Sequence, residues 1–156
     1  MMGSQNKKNK NKTVLVDKNI QLDTRKQPYS LYNNPLMYDN EHPVWSFKRI
    51  SKEDVWVFHT DEFKNIISKL ADFETMTWRA IKEQTHNTKG KTNNHLITNL
   101  TNFCDKAKDR LEKLQIEELF SLRLGGKTRI YGILQSRVLE ILWYDNKHEI
   151  YPVSKK

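Results

Sequence analysis

The chain has a single cysteine, Cys104, so it can form no internal disulfide and carries no cysteine-rich metal framework. No apolar run approaches the roughly 18 residues a membrane helix needs, so no spanning segment and no membrane partner are expected. The N-terminal lysines have no apolar stretch behind them, so no secretory signal is expected either. With the lone thiol, this points to a cytoplasmic protein. Walker and dinucleotide glycine patterns are missing, and so are His-x-x-x-His and His-Glu-x-x-His. His42, His59, His86 and His95 fall on different expected elements, so neither a metal nor a cofactor is expected.

Basic charge, by contrast, is abundant. There are 27 Lys+Arg against 19 Asp+Glu, a balance of +8. Such a surface favours a polyanionic partner. The chain of 156 residues suits one ordinary domain, and four Trp, six Tyr and six Phe argue against wholesale disorder. The first dozen residues contain Lys7, Lys8, Lys10 and Lys12 and no acid, which reads as a flexible basic tail or simply a solvated terminus. From Thr13 to Pro43 the chain is polar and punctuated by Pro28, Pro35 and Pro43. Residues 1–43 therefore read as an arm, its later part suited to a partner, and residues 44–156 as one globular domain.

Aromatic density rises at Val44, with Trp45, Phe47, Trp56 and Phe58 close together. One or both of the stretches 44–50 and 55–58 should be a strand. Phe63, Ile66, Ile67 and Leu70 follow the spacing of one buried helical face and predict a helix over 61–72, with Thr60 as a cap. Trp78 and Ile81 prolong it or begin a second helix. Residues 84–94 read as a loop, and 96–114 as a further helix with Cys104 on its apolar stripe. Thereafter the period changes to two. Strands are expected over 119–124, 127–134, 138–144 and 148–153. Connections so short force antiparallel neighbours. The fold class is α+β: N-terminal strand or strands, then two or three helices packed on one face of an antiparallel β-meander.

The first hairpin can be placed in register. Phe120, Leu122 and Leu124 alternate with Ser121 and Arg123 and must share the core face. A two-residue Gly-Gly turn would pair Leu122 with Arg129 and bury a guanidinium, which is costly. A three-residue loop pairs Leu124 with Thr128 and Leu122 with Ile130. It sets Arg123 opposite Arg129 on the outer face, with Ser121 and Tyr131, and needs a glycine in the left-handed region. Opposed like charges are unfavourable. They are tolerated if an anion such as phosphate lies between them, or if one of them pairs with a carboxylate such as Glu140.

The runs Leu122-Arg123-Leu124-Gly125-Gly126-Lys127-Thr128-Arg129-Ile130-Tyr131-Gly132-Ile133, Leu139-Glu140-Ile141-Leu142-Trp143-Tyr144 and His148-Glu149-Ile150-Tyr151 resemble the closing sheet of the RelE/ParE toxin superfamily. The resemblance extends to the order of elements from about Val55, which in that superfamily is β-α-α-β-β-β. It implies a toxin-like, metal-independent endoribonuclease of a toxin–antitoxin system that cleaves mRNA through the 2′-OH. By position, Arg129 matches the family's sheet arginine and Arg123 and Lys127 its basic neighbours. His148 and Tyr151 match the terminal His/Tyr positions. Arg123, Arg129, His148 and Tyr151 are thus the candidate catalytic residues. Lys127, Tyr131 and Glu149 are candidates for holding RNA or assisting proton transfer. Glu149 stands where many members carry a basic residue. A regular last strand would place His148 and Tyr151 on opposite faces, unless His148 still belongs to the turn. The implied partners are RNA or the ribosome, with an antitoxin or other protein docking through residues 13–44. The alternative is a non-catalytic RNA-, ribosome- or protein-binding module of the same fold, or a helper protein of a mobile element.

Overall fold

The computed structural model describes residues 35–85 and 92–152. The basic tail, most of the arm and residue His86 lie outside them. The elements run β1 (Val44–Ser46), α1 (Thr60–Glu74), α2 (Trp78–Glu83), β2 (His95–Ile97), α3 (Asp105–Lys113), β3 (Leu119–Gly125), β4 (Thr128–Gln135) and β5 (Val138–Asp145). One five-stranded sheet has the spatial order β1-β5-β4-β3-β2. The fold is α+β, and β3-β4-β5 is the expected meander. The sheet is mixed, however, because β1 runs parallel to β5, with Val44 opposite Val138 and Ser46 opposite Glu140.

The helices cover both faces of the sheet, which corrects the one-face expectation. On one face Ile66 and Leu70 of α1 and Trp78 and Ile81 of α2 pack on Phe120, Leu122, Ile130 and Leu139. On the other, Ala107 and Leu111 of α3 pack with Phe103 on Leu119, Tyr131, Leu142 and Trp143. Ser121 and Tyr131, expected on an outer face, are therefore roofed over and buried. The alternation of β3 had hidden this. Its second face offers only Leu119 and the small Ser121 before Arg123, and the bulk that fills the space comes from Phe103 and α3.

The expected helix over 96–114 divides. Residues 95–97 form an edge strand on β3, with Leu96 opposite Phe120. A 3-10 turn follows at Leu100–Asn102, where Asn99 Oδ1 accepts from the Thr101 N–H at 3.1 Å. Such local side-chain bonding competes with helix formation. Cys104, in extended conformation, is the N-cap of α3, half-buried rather than on a helical stripe. The element order thus gains β2, and α3 is the shorter remainder of the expected helix. On α1 the buried line is Ile66, Leu70 and Phe73, while Phe63 and Ile67 are 47% and 40% exposed. Thr60 is the first helical residue and His59 the cap. Residues 55–58 are not a strand. They run beside β5, with Trp56 O accepting from the Tyr144 N–H at 3.0 Å. Before β1, Asp39 is buried on Lys82 at 2.6 Å, and Glu41 O accepts from the Trp78 N–H at 2.9 Å. The packed body therefore begins a few residues ahead of Val44.

The hairpin keeps its expected register, with Leu122 opposite Ile130 and Arg123 opposite Arg129. Its closure differs in detail. Thr128 pairs with Gly125 instead of Leu124, and Leu124 takes up the irregularity. Gly126 at φ +50° supplies the left-handed residue. A second irregularity lies where Tyr131 opposes Trp143 but Gly132 opposes Ile141, leaving Leu142 as the extra residue. A Cβ on Gly132 would stand 2.5 Å from Glu140 O, so the close approach there needs glycine.

Candidate functional site

Directly opposed residues of a sheet share a face. On the face that carries α3, one row reads His95, Ser121, Tyr131, Trp143 across β2, β3, β4 and β5. The row two residues nearer the hairpin tip reads Arg123, Arg129, Asp145. In the first row Ser121, Tyr131 and Trp143 are buried beneath Phe103 and Trp56. The second row stays half-open at both arginines.

Two main-chain carbonyls, Gly126 O at 3.1 Å and Thr128 O at 3.0 Å, hold the Arg129 Nη1. Among the described residues it takes no carboxylate partner. Burial and the neighbouring Arg123 guanidinium lower its pKa, while Tyr131 and Asp145 act the other way. It stays charged at any ordinary pH. The Arg123 Nη1 donates to Asn93 Oδ1 at 3.1 Å, and Asn94 Oδ1 accepts from the Arg123 main-chain N–H at 2.8 Å. Glu140 does not neutralise this pair. Its buried carboxylate instead binds Lys48 and Arg49, from the segment after β1. Burial pushes the Glu140 pKa up, but the hydrogen bonds from Lys48 and Arg49 outweigh that and leave it lowered.

The expected last strand over 148–153 does not form within the described residues. Instead the chain after β5 makes a tight loop around Asp145. Asp145 Oδ1 accepts from the N–H of Lys147 at 3.2 Å and of Glu149 at 3.0 Å, and Oδ2 from that of Ile150 at 2.8 Å. Ile150 O in turn accepts from the Cys104 N–H at 2.9 Å, which fastens the loop to the start of α3. A side chain that satisfies three amides removes the need for a ladder partner, and that is why the strand ends at Asp145. His148 takes φ +65° at the apex, so it belongs to the turn.

The structure thus draws Arg123, Lys127, Arg129 and His148 into one electrostatic neighbourhood. The His148 pKa is lowered by burial first, then by Arg129, Lys127 and Arg123, against the upward pull of Asp145. Its Nδ1 is buried without a hydrogen-bond partner among the described residues. Lys127 is exposed at the hairpin tip. Tyr151 is half-buried, its ring 5.3 Å from that of Phe103. Glu149 is exposed, and its N–H serves the Asp145 loop. Tyr131 is only 1% exposed and lies edge-on to Phe103 at 5.9 Å. No ring face is open for a base, so its place is the floor of the site rather than a stacking platform. Burial raises its phenol pKa well above the usual range.

One residue of this neighbourhood escaped the sequence reading. In the sequence His95 is one of several scattered histidines, yet β2 carries it to the same face. Its pKa is lowered by burial and then by Arg129, although the ring remains open to solvent on one side. The signal that would have found it is the pairing of residues 95–97 with 119–121.

The two histidines make stability depend on pH. Both have folded-state pKa values below the ordinary 6.5. Between the folded and unfolded values the unfolded chain binds more protons, so stability falls as pH drops through 6.5. The melting temperature should be lower at pH 5.5 than at pH 7.5, and His148→Gln should shrink the difference. An unchanged difference in that variant would contradict the lowered pKa.

Among the described residues no three His, Cys, Asp or Glu side chains converge to hold a metal ion, and no helix is long and apolar enough to cross a membrane. No family model, no curated protein and no solved structure matches the chain.

Proposed function

We propose that the chain is a toxin-like, metal-independent endoribonuclease, related in its closing sheet to the RelE/ParE superfamily. The observation that carries this reading is the Arg123–Arg129 row with the His148 loop beside it. Two opposed guanidiniums are an unfavourable arrangement by themselves and a favourable one around a phosphodiester. RNA brings its own nucleophile, the 2′-OH next to the scissile phosphate. A neutral imidazole removes the 2′ proton while O2′ bonds to phosphorus. The P–O5′ bond then breaks, a proton is returned to O5′, and the products are a 2′,3′-cyclic phosphate and a 5′-hydroxyl. Arg123, Arg129 and Lys127 offset the charge that develops on the non-bridging oxygens. His148 is the group suited to one proton transfer.

Purified protein should cut single-stranded RNA in the presence of EDTA. A single 2′-deoxy substitution at the cut position should abolish that cut. Induced expression should arrest growth, with cleaved mRNA. Uncut RNA that is nevertheless bound, with affinity falling steeply with salt, would overturn the nuclease reading and leave the binding module of the same fold. The antitoxin or other protein partner belongs to the same proposal. Its docking segment, if in the arm, lies ahead of the packed residues that begin near Asp39.

A further inference from the structure

We infer that His95 is the second imidazole of this site, and that His95 and His148 work as a pair on either side of Arg129. The inference rests on the nuclease reading for its chemistry and on sheet register for its geometry. The strand order β2-β3-β4-β5 places Arg129 on β4, with His95 two strands away on one side and the His148 loop after β5 on the other. Neighbouring strands lie about 4.8 Å apart and the two rows about 6.6 Å, so His95 and Arg129 are roughly 12 Å apart along the backbone. An arginine side chain spans about half of that gap. Ser121 and Tyr131 between them are covered by Phe103, so a ligand meets the exposed His95 and the two half-open guanidiniums at the edge of that cover, on the side of the hairpin tip. His95 belongs to an edge strand of three residues and is exposed, which leaves it open to a substrate arriving along that edge.

Cleavage through the 2′-OH needs two proton transfers on opposite sides of phosphorus, one from O2′ and one to O5′. A single histidine on one flank serves one of them. Two histidines, one neutral and one protonated, serve both, and they exchange no other atoms with the substrate. Among the described residues, His95 has Arg129 on β4 and Ser121 on β3, and lines one cavity with Lys82 and Glu118. His148 has Arg129, Lys127, Arg123 and Asp145, with Lys147 and Glu149 as chain neighbours. The cations outnumber the acids on both sides, so an incoming phosphate should raise the titration midpoint of each imidazole.

The test reads each histidine separately. Histidine ring signals are titrated by NMR in the free protein, then with inorganic phosphate, then with a 2′-deoxy oligonucleotide that cannot be cut. Both midpoints should rise with the oligonucleotide, by about one pH unit for a charge brought within contact range. A rise at His148 with none at His95 would overturn the inference, whether or not the protein cuts RNA. In the cleavage assay, His95→Gln should lose about 10²–10⁴-fold in kcat. One limb of the pH–rate bell should vanish with it, while affinity for the uncut oligonucleotide stays within a few-fold. A His95→Gln enzyme with an unchanged bell would also overturn it. Absence of cleavage in the unaltered protein, with both midpoints still rising, would strike the nuclease reading and retain the two-histidine phosphate site.

Discussion

Arg129→Ala should reduce RNA cleavage by about 10²–10³-fold, the usual cost of one oriented donor to a developing oxyanion. It should also abolish growth arrest on induction. The size of the effect follows from position. Arg129 lies between Arg123 and Asp145 on its row, its Nη1 is held by two carbonyls, and it is the common neighbour of both histidines. Its removal takes charge from the phosphate and also releases both imidazoles from a cation that depresses them. The pH–rate profile of whatever activity survives should therefore move to higher pH. Stability should respond differently. Loss of one of two opposed guanidiniums relieves a repulsion of a fraction of a kcal/mol. The melting temperature should equal or slightly exceed that of the unaltered protein, which separates a functional defect from misfolding. Arg129→Lys, a point charge without the planar fork, should recover only part of the cleavage. If Arg129→Ala still cuts RNA and still arrests growth, the site lies elsewhere.

The hairpin that carries Arg129 was legible because its sequence is over-determined. Leu122, Leu124 and Ile130 alternate with arginines, and only one register keeps every guanidinium out of the core. Trp78 and Ile81 mark helix without deciding whether it prolongs α1; the separate α2 starts at its N-cap Thr77, which accepts from the Ala80 N–H at 3.3 Å. Elements made by tertiary contacts were not legible. β1 and β2 have three residues each, too few to display a period, and they exist because β5 and β3 offer them edges. Reading Ile97, Leu100 and Phe103 as one helical stripe joined apolar residues that serve a strand, a turn and a docking loop. A single stripe conceals that α3 covers the second face, and it conceals His95. The loop after β5 is hidden in the sequence for a related reason. Its strand-like composition, His148 to Tyr151, is overruled by a single side chain that binds three amides.

That side chain yields the other large effect. Asp145→Ala should destabilise the fold by about 3 kcal/mol, because three buried or half-buried amides lose their acceptor at once. The loop should open, and cleavage should fall with it. The His148 titration separates the two roles of Asp145. Its charge raises the His148 pKa, whereas the burial that the loop enforces lowers it, and burial is the largest cause. Asp145→Asn removes the charge but keeps an acceptor at Oδ1 for Lys147 and Glu149. In that variant the loop stays mostly closed and the His148 midpoint should drop further below 6.5. Asp145→Ala releases the loop, so the midpoint should climb back toward 6.5 despite the lost charge. The two substitutions at one position should therefore move one proton's affinity in opposite directions. A shift of the same sign in both would mean that Asp145 acts on His148 through its field alone, and that the loop is held by the Ile150–Cys104 contact without it.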